Sequence, residues 1–220
     1  MKYTQVLIFS LLVLGVCVAK DCQYDDAGLT AFVGIVGYDI AVSATEQESF
    51  VESSFTTIDY KGQRLFVAYE IVENGSIYRG QVVAFGQNQT EYYLSVDANN
   101  QTTCTEAALT YKIPTGLPWS NMTKGGYARI GKFDVATFIL KEALTTSEVL
   151  YDDEGCAIVS INTENNNQST PGVSISNYFD YDNGYNEAMF YLPSACSTPS
   201  QTMKYKRTNL PDQLLGNRFI

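Results

Sequence analysis

Glu91-Tyr92-Tyr93-Leu94-Ser95-Val96-Asp97-Ala98-Asn99-Asn100-Gln101-Thr102-Thr103-Cys104 decides how the chain is read. Tyr92, Leu94 and Val96 alternate with Glu91, Tyr93, Ser95 and Asp97, the period of two expected of a strand with one buried and one wet face. The pattern predicts that Tyr92, Leu94 and Val96 face the core or a pocket and that Glu91 and Tyr93 are on the wet face. Ala98 to Gln101 is a turn-forming cluster that contains a glycan acceptor, Asn100-Gln101-Thr102, and the stretch closes on a cysteine.

The same signals recur upstream. Phe55 to Tyr60 and Arg64 to Val72 flank Lys61-Gly62-Gln63, and Glu73-Asn74-Gly75-Ser76 joins the second of these to a strand from Ile77 to Phe85. Asn-Gly is the strongest short hairpin signal. With Gly86 to Thr90 as a further turn, four consecutive strands form a meander, antiparallel because the connections are too short for crossovers. Leu29 to Val42 is apolar and broken by Gly34 and Gly37, which predicts a strand pair or one bulged strand; Ser43 to Ser54 reads as polar linker or edge.

Downstream, Ala107 to Ile113 reads as a strand or short helix stopped by Pro114, and Trp119 sits in the loop that follows. Lys124-Gly125-Gly126 reads as a breaker before an alternating run from Ala128 to Leu140. Val149 to Tyr151 and Cys156 to Ile161 pair around an acidic turn, Asn162 to Gly172 is an Asn-rich loop, and Val173 to Phe179 gives a late strand. About ten short strands without a long amphipathic helix predict a mainly β single domain, a sandwich or an open barrel.

Lys2, the apolar run from Val6 to Val18 and the small residues Cys17-Val18-Ala19 have the form of a secretory signal over residues 1–19. The run is shorter than the roughly 20 residues that span a bilayer. The predicted domain covers 20–196, and 197–220 is a polar, partly basic tail. Removal of the signal leaves Cys22, Cys104, Cys156 and Cys196, an even set that in an exported chain predicts two disulfides among three possible connectivities.

The chain has 14 Lys+Arg against 24 Asp+Glu, a net charge of -10 that excludes simple electrostatic capture of nucleic acid or anionic membranes. Histidine is absent, and with it the usual general base and zinc ligand. There is no Gly-x-Ser-x-Gly elbow and no phosphate-cradling glycine loop, so no enzymatic role is expected.

Several segments together resemble the ependymin family of secreted glycoproteins. They are Ile58-Asp59-Tyr60 with Arg64, Tyr92 to Asp97 running to Cys104, Ile113-Pro114, Asp153-Glu154-Gly155-Cys156-Ala157-Ile158-Val159, and Met189-Phe190-Tyr191-Leu192-Pro193-Ser194-Ala195-Cys196. The resemblance covers Cys22 to Cys196. It implies antiparallel sheets curled into an open barrel or two-layer half-barrel around an apolar pocket, similar to bacterial lipoprotein carriers. It also implies pairing of Cys22 with Cys156 and Cys104 with Cys196, and a homodimer. Calcium as a cofactor, extracellular-matrix contact and, in lysosomal relatives, lipid binding are implied as well. The chain departs from the family pattern in lacking a further cysteine pair and in a shorter segment from Trp119 to Ser147.

Five acceptor sequons, at Asn74, Asn88, Asn100, Asn121 and Asn167, fall in predicted turns or loops where a glycan fits. Asp180, Asp182, Asn183 and Glu187 surround Gly184 with oxygen ligands at alternating positions, the chemistry of a calcium loop, although calcium takes about 6–8 oxygens and this cluster does not supply them alone. Phe66, Tyr69, Tyr78, Tyr92 and Phe138 are the aromatic positions expected nearest a pocket. The expected function is a secreted or lysosomal glycoprotein that binds a lipid-like ligand, with calcium held by acidic loops. The competing expectation is a calcium-dependent matrix or cell-adhesion glycoprotein whose core is filled.

Overall fold

At the Glu73 to Ser76 turn, Asn74 and Gly75 both take left-handed backbone, with φ of 49° and 76°. The type I′ form of the two-residue hairpin turn has positive φ at both positions, which is why Asn-Gly sits there. The computed structural model describes residues 22, 27–96, 101–117 and 121–199. The signal segment, Asn100, Trp119 and the tail beyond residue 199 lie outside the described residues.

The strands are β1 Gly28–Ala41, β2 Gln47–Asp59, β3 Arg64–Glu73, β4 Ser76–Phe85, β5 Thr90–Val96 and β6 Thr102–Ala108. They continue with β7 Met122–Ile130, β8 Phe133–Lys141, β9 Thr145–Asp152, β10 Ala157–Asn165 and β11 Val173–Asp182. All belong to one antiparallel sheet in the order β6-β5-β4-β3-β2-β1-β11-β10-β9-β8-β7. Two meanders are thus joined where β1 pairs with β11, and the sheet is not closed, with β6 and β7 at its edges.

The sheet curls over on itself. Leu29, Ile35, Leu65 and Val82 from β1, β3 and β4 share one core with Val149, Tyr151 and Ile158 from β9 and β10. Strands that far apart along a sheet meet only if it folds back, and burying each such side chain contributes about 1.5–3 kcal/mol. The concave side is the inner face, and the other is the outer face.

The opening stretch is a hairpin, β5 and β6, in which Leu94 lies opposite Cys104. Its predicted sidedness is corrected for Glu91 and Tyr93, while Leu94 and Val96 face the groove described below. Glu91 and Tyr93 are buried on the inner face, where the Tyr93 hydroxyl donates to Glu91 Oε1 at 2.8 Å, and Val96 is 64% exposed. Leu94 is buried on the outer face. Both sides of β5 are covered along part of its length, so alternation does not separate wet from dry.

The first strand takes one of its two expected forms, and other boundaries shift. Leu29 to Val42 is a single bulged strand, and the polar segment before Ser54 is already β2, whose inner face carries buried Glu52, Ser54 and Thr56. Ala107 to Ile113, expected as a strand or short helix, is for the most part neither, because β6 starts at Thr102 and ends at Ala108. Lys124 to Gly126 is a bulge within β7 instead of a breaker, and the run from Ala128 to Leu140 is divided by a turn at Gly131, φ 62°.

Candidate functional site

After β11 the chain turns back and crosses the outer face as a strap from Gly184 to Ser197, containing two short helical turns, Glu187–Phe190 and Ser194–Ser197. Its start is stitched down by hydroxyls. The Asn186 N–H donates to Thr57 Oγ1 at 3.0 Å, Thr57 and Thr30 hydroxyls bond each other at 2.8 Å, and Thr30 donates to the Gly184 carbonyl at 2.9 Å. A chain of hydroxyl bonds polarises along its length, and each bond contributes about 1 kcal/mol.

Arg64 clamps the next turn. Its Nη1 and Nη2 donate to both carboxylate oxygens of Glu187 at 2.8 and 2.7 Å, while Nε and Nη2 donate to Asp59 Oδ2 at 2.8 and 2.6 Å. The guanidinium also lies over the Phe190 ring at 4.5 Å and near Tyr185 at 5.6 Å, an arrangement that a planar, delocalised cation favours. Asp59 is held in turn by the Gly62 N–H at 2.7 Å. The hydrogen bonds from Arg64 lower the Glu187 pKa below the ordinary glutamate value, and those to Glu187 and Asp59 raise that of Arg64.

The far end of the strap is covalent. Cys196 is bridged to Cys104 on β6, and Cys22 is bridged to Cys156 in the β9–β10 turn. Such bonds persist in oxidising compartments. Between clamp and bridge the strap lays Phe190 on Phe66, Val83 and Leu94, a second small core on the outer face.

Beside that core a groove of about 830 Å³ remains open between strap and sheet. Phe66, Ala68, Val83 and Leu94 form its floor, and Met189, Tyr191 and Pro193 its wall. Glu70 and Arg79, paired at 2.5 Å, and Thr102 supply polar groups to its lining. A second, smaller hollow of about 370 Å³ lies at the opposite end of the strands, between the β1–β2 loop and Asn165 to Asn167.

Of the aromatic positions expected at a pocket, Phe66 lies on the groove floor, and Tyr69 borders the groove while its side chain is buried in the inner core. Phe138 instead packs edge-on against Tyr151 on the inner core, Tyr92 packs against Phe85, and Tyr78 is 39% exposed on β4. Alternation places Phe138 and Tyr78 on the inner side and so away from this groove. Burial and the nearby Glu106 charge raise the Tyr92 hydroxyl pKa.

The expected calcium ligands end up in different company. Glu187 is engaged by Arg64, Asn183 Nδ2 donates to the Cys156 carbonyl at 2.9 Å, and Asp180 and Asp182 are exposed at the end of β11. Among the described residues no three His, Cys, Asp or Glu side chains gather as a metal site. Asn74, Asn88, Asn121 and Asn167 are all exposed. Asn74 and Asn167 lie at one end of the strands, with Asn121 at the start of β7 there, and Asn88 is in the β4–β5 turn at the other.

Sequence reasoning missed Arg64 and Asp59 as the clamp. They were visible only as part of a family-like motif, because Glu187, the partner that explains them, is 123 residues away. No described helix is long and apolar enough to cross a membrane.

Residues 22–216 match the model of the ependymin domain in its amoebozoan form. An uncharacterized protein of Dictyostelium discoideum is 35% identical over 152 residues, which is 67% of this chain and 46% of that protein, so the chain spans about half the length of this relative. With its curled open sheet, bridged cysteines and strap, the chain belongs to the ependymin family.

Proposed function

We propose that this ependymin-family chain is an exported binding protein for an apolar, lipid-like molecule, held in the groove between strap and outer face. The groove itself carries the reading. Ligand sites of about 300–1,000 Å³ with mostly apolar walls and a few polar groups fit molecules of that class, and about 830 Å³ lies within the range. An acyl chain would lie on Phe66, Ala68 and Met189, with its polar end toward Arg79, Glu70 and Thr102. The strap gives the groove a wall fixed at both ends, by Arg64 and by the bridge to Cys104, so little ordering is left for binding. Nothing in this mechanism requires a bond to be made or broken.

The test is native mass spectrometry with solvent extraction of protein exported from a eukaryotic host. The wild type retains a hydrophobic molecule, whereas Ala68→Trp, which fills the floor of the groove, loses it while melting normally. Ligand-free wild type that also fails to bind added fatty acids or phospholipids contradicts the proposal.

A further inference from the structure

The groove has one apolar end and one charged end. Phe66 lies opposite Val83, Ala68 opposite Gln81, and Glu70 opposite Arg79, three successive outward-facing pairs along β3 and β4 that all line it. At about 3.3 Å of rise per residue, the charged pair stands roughly 13 Å along the strands from the buried ring of Phe66. Ser53, opposite Glu70, and Val96 with Thr102, paired across β5 and β6, complete the charged end. Among the described residues that line the groove, Glu70 and Arg79 are the only charged ones.

Their pairing leaves capacity unused. Arg79 Nε donates to Glu70 Oε2, and among the described residues neither Nη of Arg79 nor Oε1 of Glu70 has a protein partner. The two side chains are 69 and 43% exposed, and an ion pair so open to water adds little to stability. It does set a donor edge beside an acceptor. A guanidinium meets a phosphate through its two Nη groups, and a carboxylate oxygen meets an ammonium. Tyr191 lines the same groove at 72% exposure, an open aromatic ring of the kind that attracts a quaternary ammonium.

We propose that the groove selects lipids whose headgroup is a zwitterion of phosphate and ammonium, with Arg79 taking the phosphate and Glu70 the ammonium. This inference rests on the groove reading and names the headgroup class within it. With the ion pair kept, four charges of alternating sign close a ring. A purely anionic head meets Glu70 as well as Arg79, on a chain of net charge -10, and an uncharged head gives neither group a partner. Size sets the number of chains. A methylene takes roughly the 30 Å³ share of a water molecule in the liquid, so about sixteen carbons fill roughly 500 Å³. In a groove of about 830 Å³ that leaves room for a headgroup and not for a second chain.

Titration calorimetry of the delipidated full chain tests the proposal. The probes are lysophosphatidylcholine, lysophosphatidate and monoacylglycerol of one chain length, each below its micelle concentration, and glycerophosphocholine, which carries the head without the chain. The wild type binds lysophosphatidylcholine at least about tenfold more tightly than either other lipid and does not bind glycerophosphocholine measurably. Arg79→Gln and Glu70→Gln melt like the wild type and hold lysophosphatidylcholine no more tightly than monoacylglycerol, whose own affinity is unchanged; a merely structural pair would lower both. Equal affinity of the wild type for the three lipids, or unchanged lysophosphatidylcholine binding in either variant, overturns the proposal and leaves the groove reading standing. Glycerophosphocholine that binds as tightly as lysophosphatidylcholine overturns both, because the acyl chain would then contribute nothing. A wild type that binds none of the lipids contradicts the groove reading and takes this inference with it.

Discussion

The outer face of the sheet is one surface with two fates. Toward Thr30 and Thr57 it lies under the strap, and there Phe66, Val83 and Leu94 are buried to 6, 2 and 6% exposure. Toward Val36, Val51 and Ile77 the same strands carry equally apolar side chains that are half exposed. Strand chemistry does not distinguish the two regions. The difference is made by a segment from the other end of the chain, and it teaches that burial on this face is conferred by what crosses it.

That contrast gives its strongest test in side-chain truncation. Leu94→Ala, under the strap, loses about 2–5 kcal/mol in urea unfolding, the cost of a large-to-small change in a packed site. Removal of the bridge by Cys104→Ala with Cys196→Ala costs about 2–4 kcal/mol and exposes the strap to limited proteolysis. If the strap stays protected, the clamp alone suffices to hold the covered region.

Arg64→Met comes next, at about 2 kcal/mol in the same unfolding assay, because it leaves the nearly buried Asp59 carboxylate with one charged partner fewer. The clamp also responds to acid. Since the folded-state pKa of Glu187 is lowered, its contribution is complete above the ordinary glutamate value near 4.3 and is lost as pH falls through the lowered value. Hydrogen exchange at Glu187 to Phe190 should therefore be slower in the wild type than in Glu187→Gln at pH 7, and the difference should close once the pH has fallen below the lowered Glu187 value. A difference that persists in acid would assign strap protection to something other than this ion pair.

The smallest effect belongs to the bare region. Val51→Ala changes the unfolding free energy of dilute protein by no more than about 0.5 kcal/mol. A loss as large as that of Leu94→Ala would show that Val51 is covered in the monomer and would erase the distinction between the two regions.

Local chemistry made much of the scaffold legible in advance. Asn74-Gly75 admits one kind of turn, and the hairpins from β3 to β6 follow from short connections between alternating runs. Where inner-face residues are polar, composition misled. Glu52 and Glu91 are buried carboxylates, so β2 has the composition of a linker and the inner face of β5 has that of a wet one, although Leu94 on the other face is buried as well. In β7 and β8 alternation runs on through the turn at Gly131, which hid the boundary, while the bulge at Gly125 and Gly126 imitated one. The groove was half visible, in Phe66 and Tyr69, because its other wall comes from Met189 and Tyr191, more than a hundred residues on. That Val36, Val51, Val72 and Ile77 lie side by side could not be seen before the register of four strands was known.

The central claim is that the covered region, and not the bare one, holds a lipid-like ligand. A photoactivatable fatty acid, cross-linked to the full chain and mapped by peptide mass spectrometry, addresses it directly. Adducts are predicted on Phe66, Met189 and Tyr191 and are lost in Ala68→Trp. Adducts concentrated on Val36, Val51 and Ile77, or labelling that survives Ala68→Trp unchanged, would contradict it.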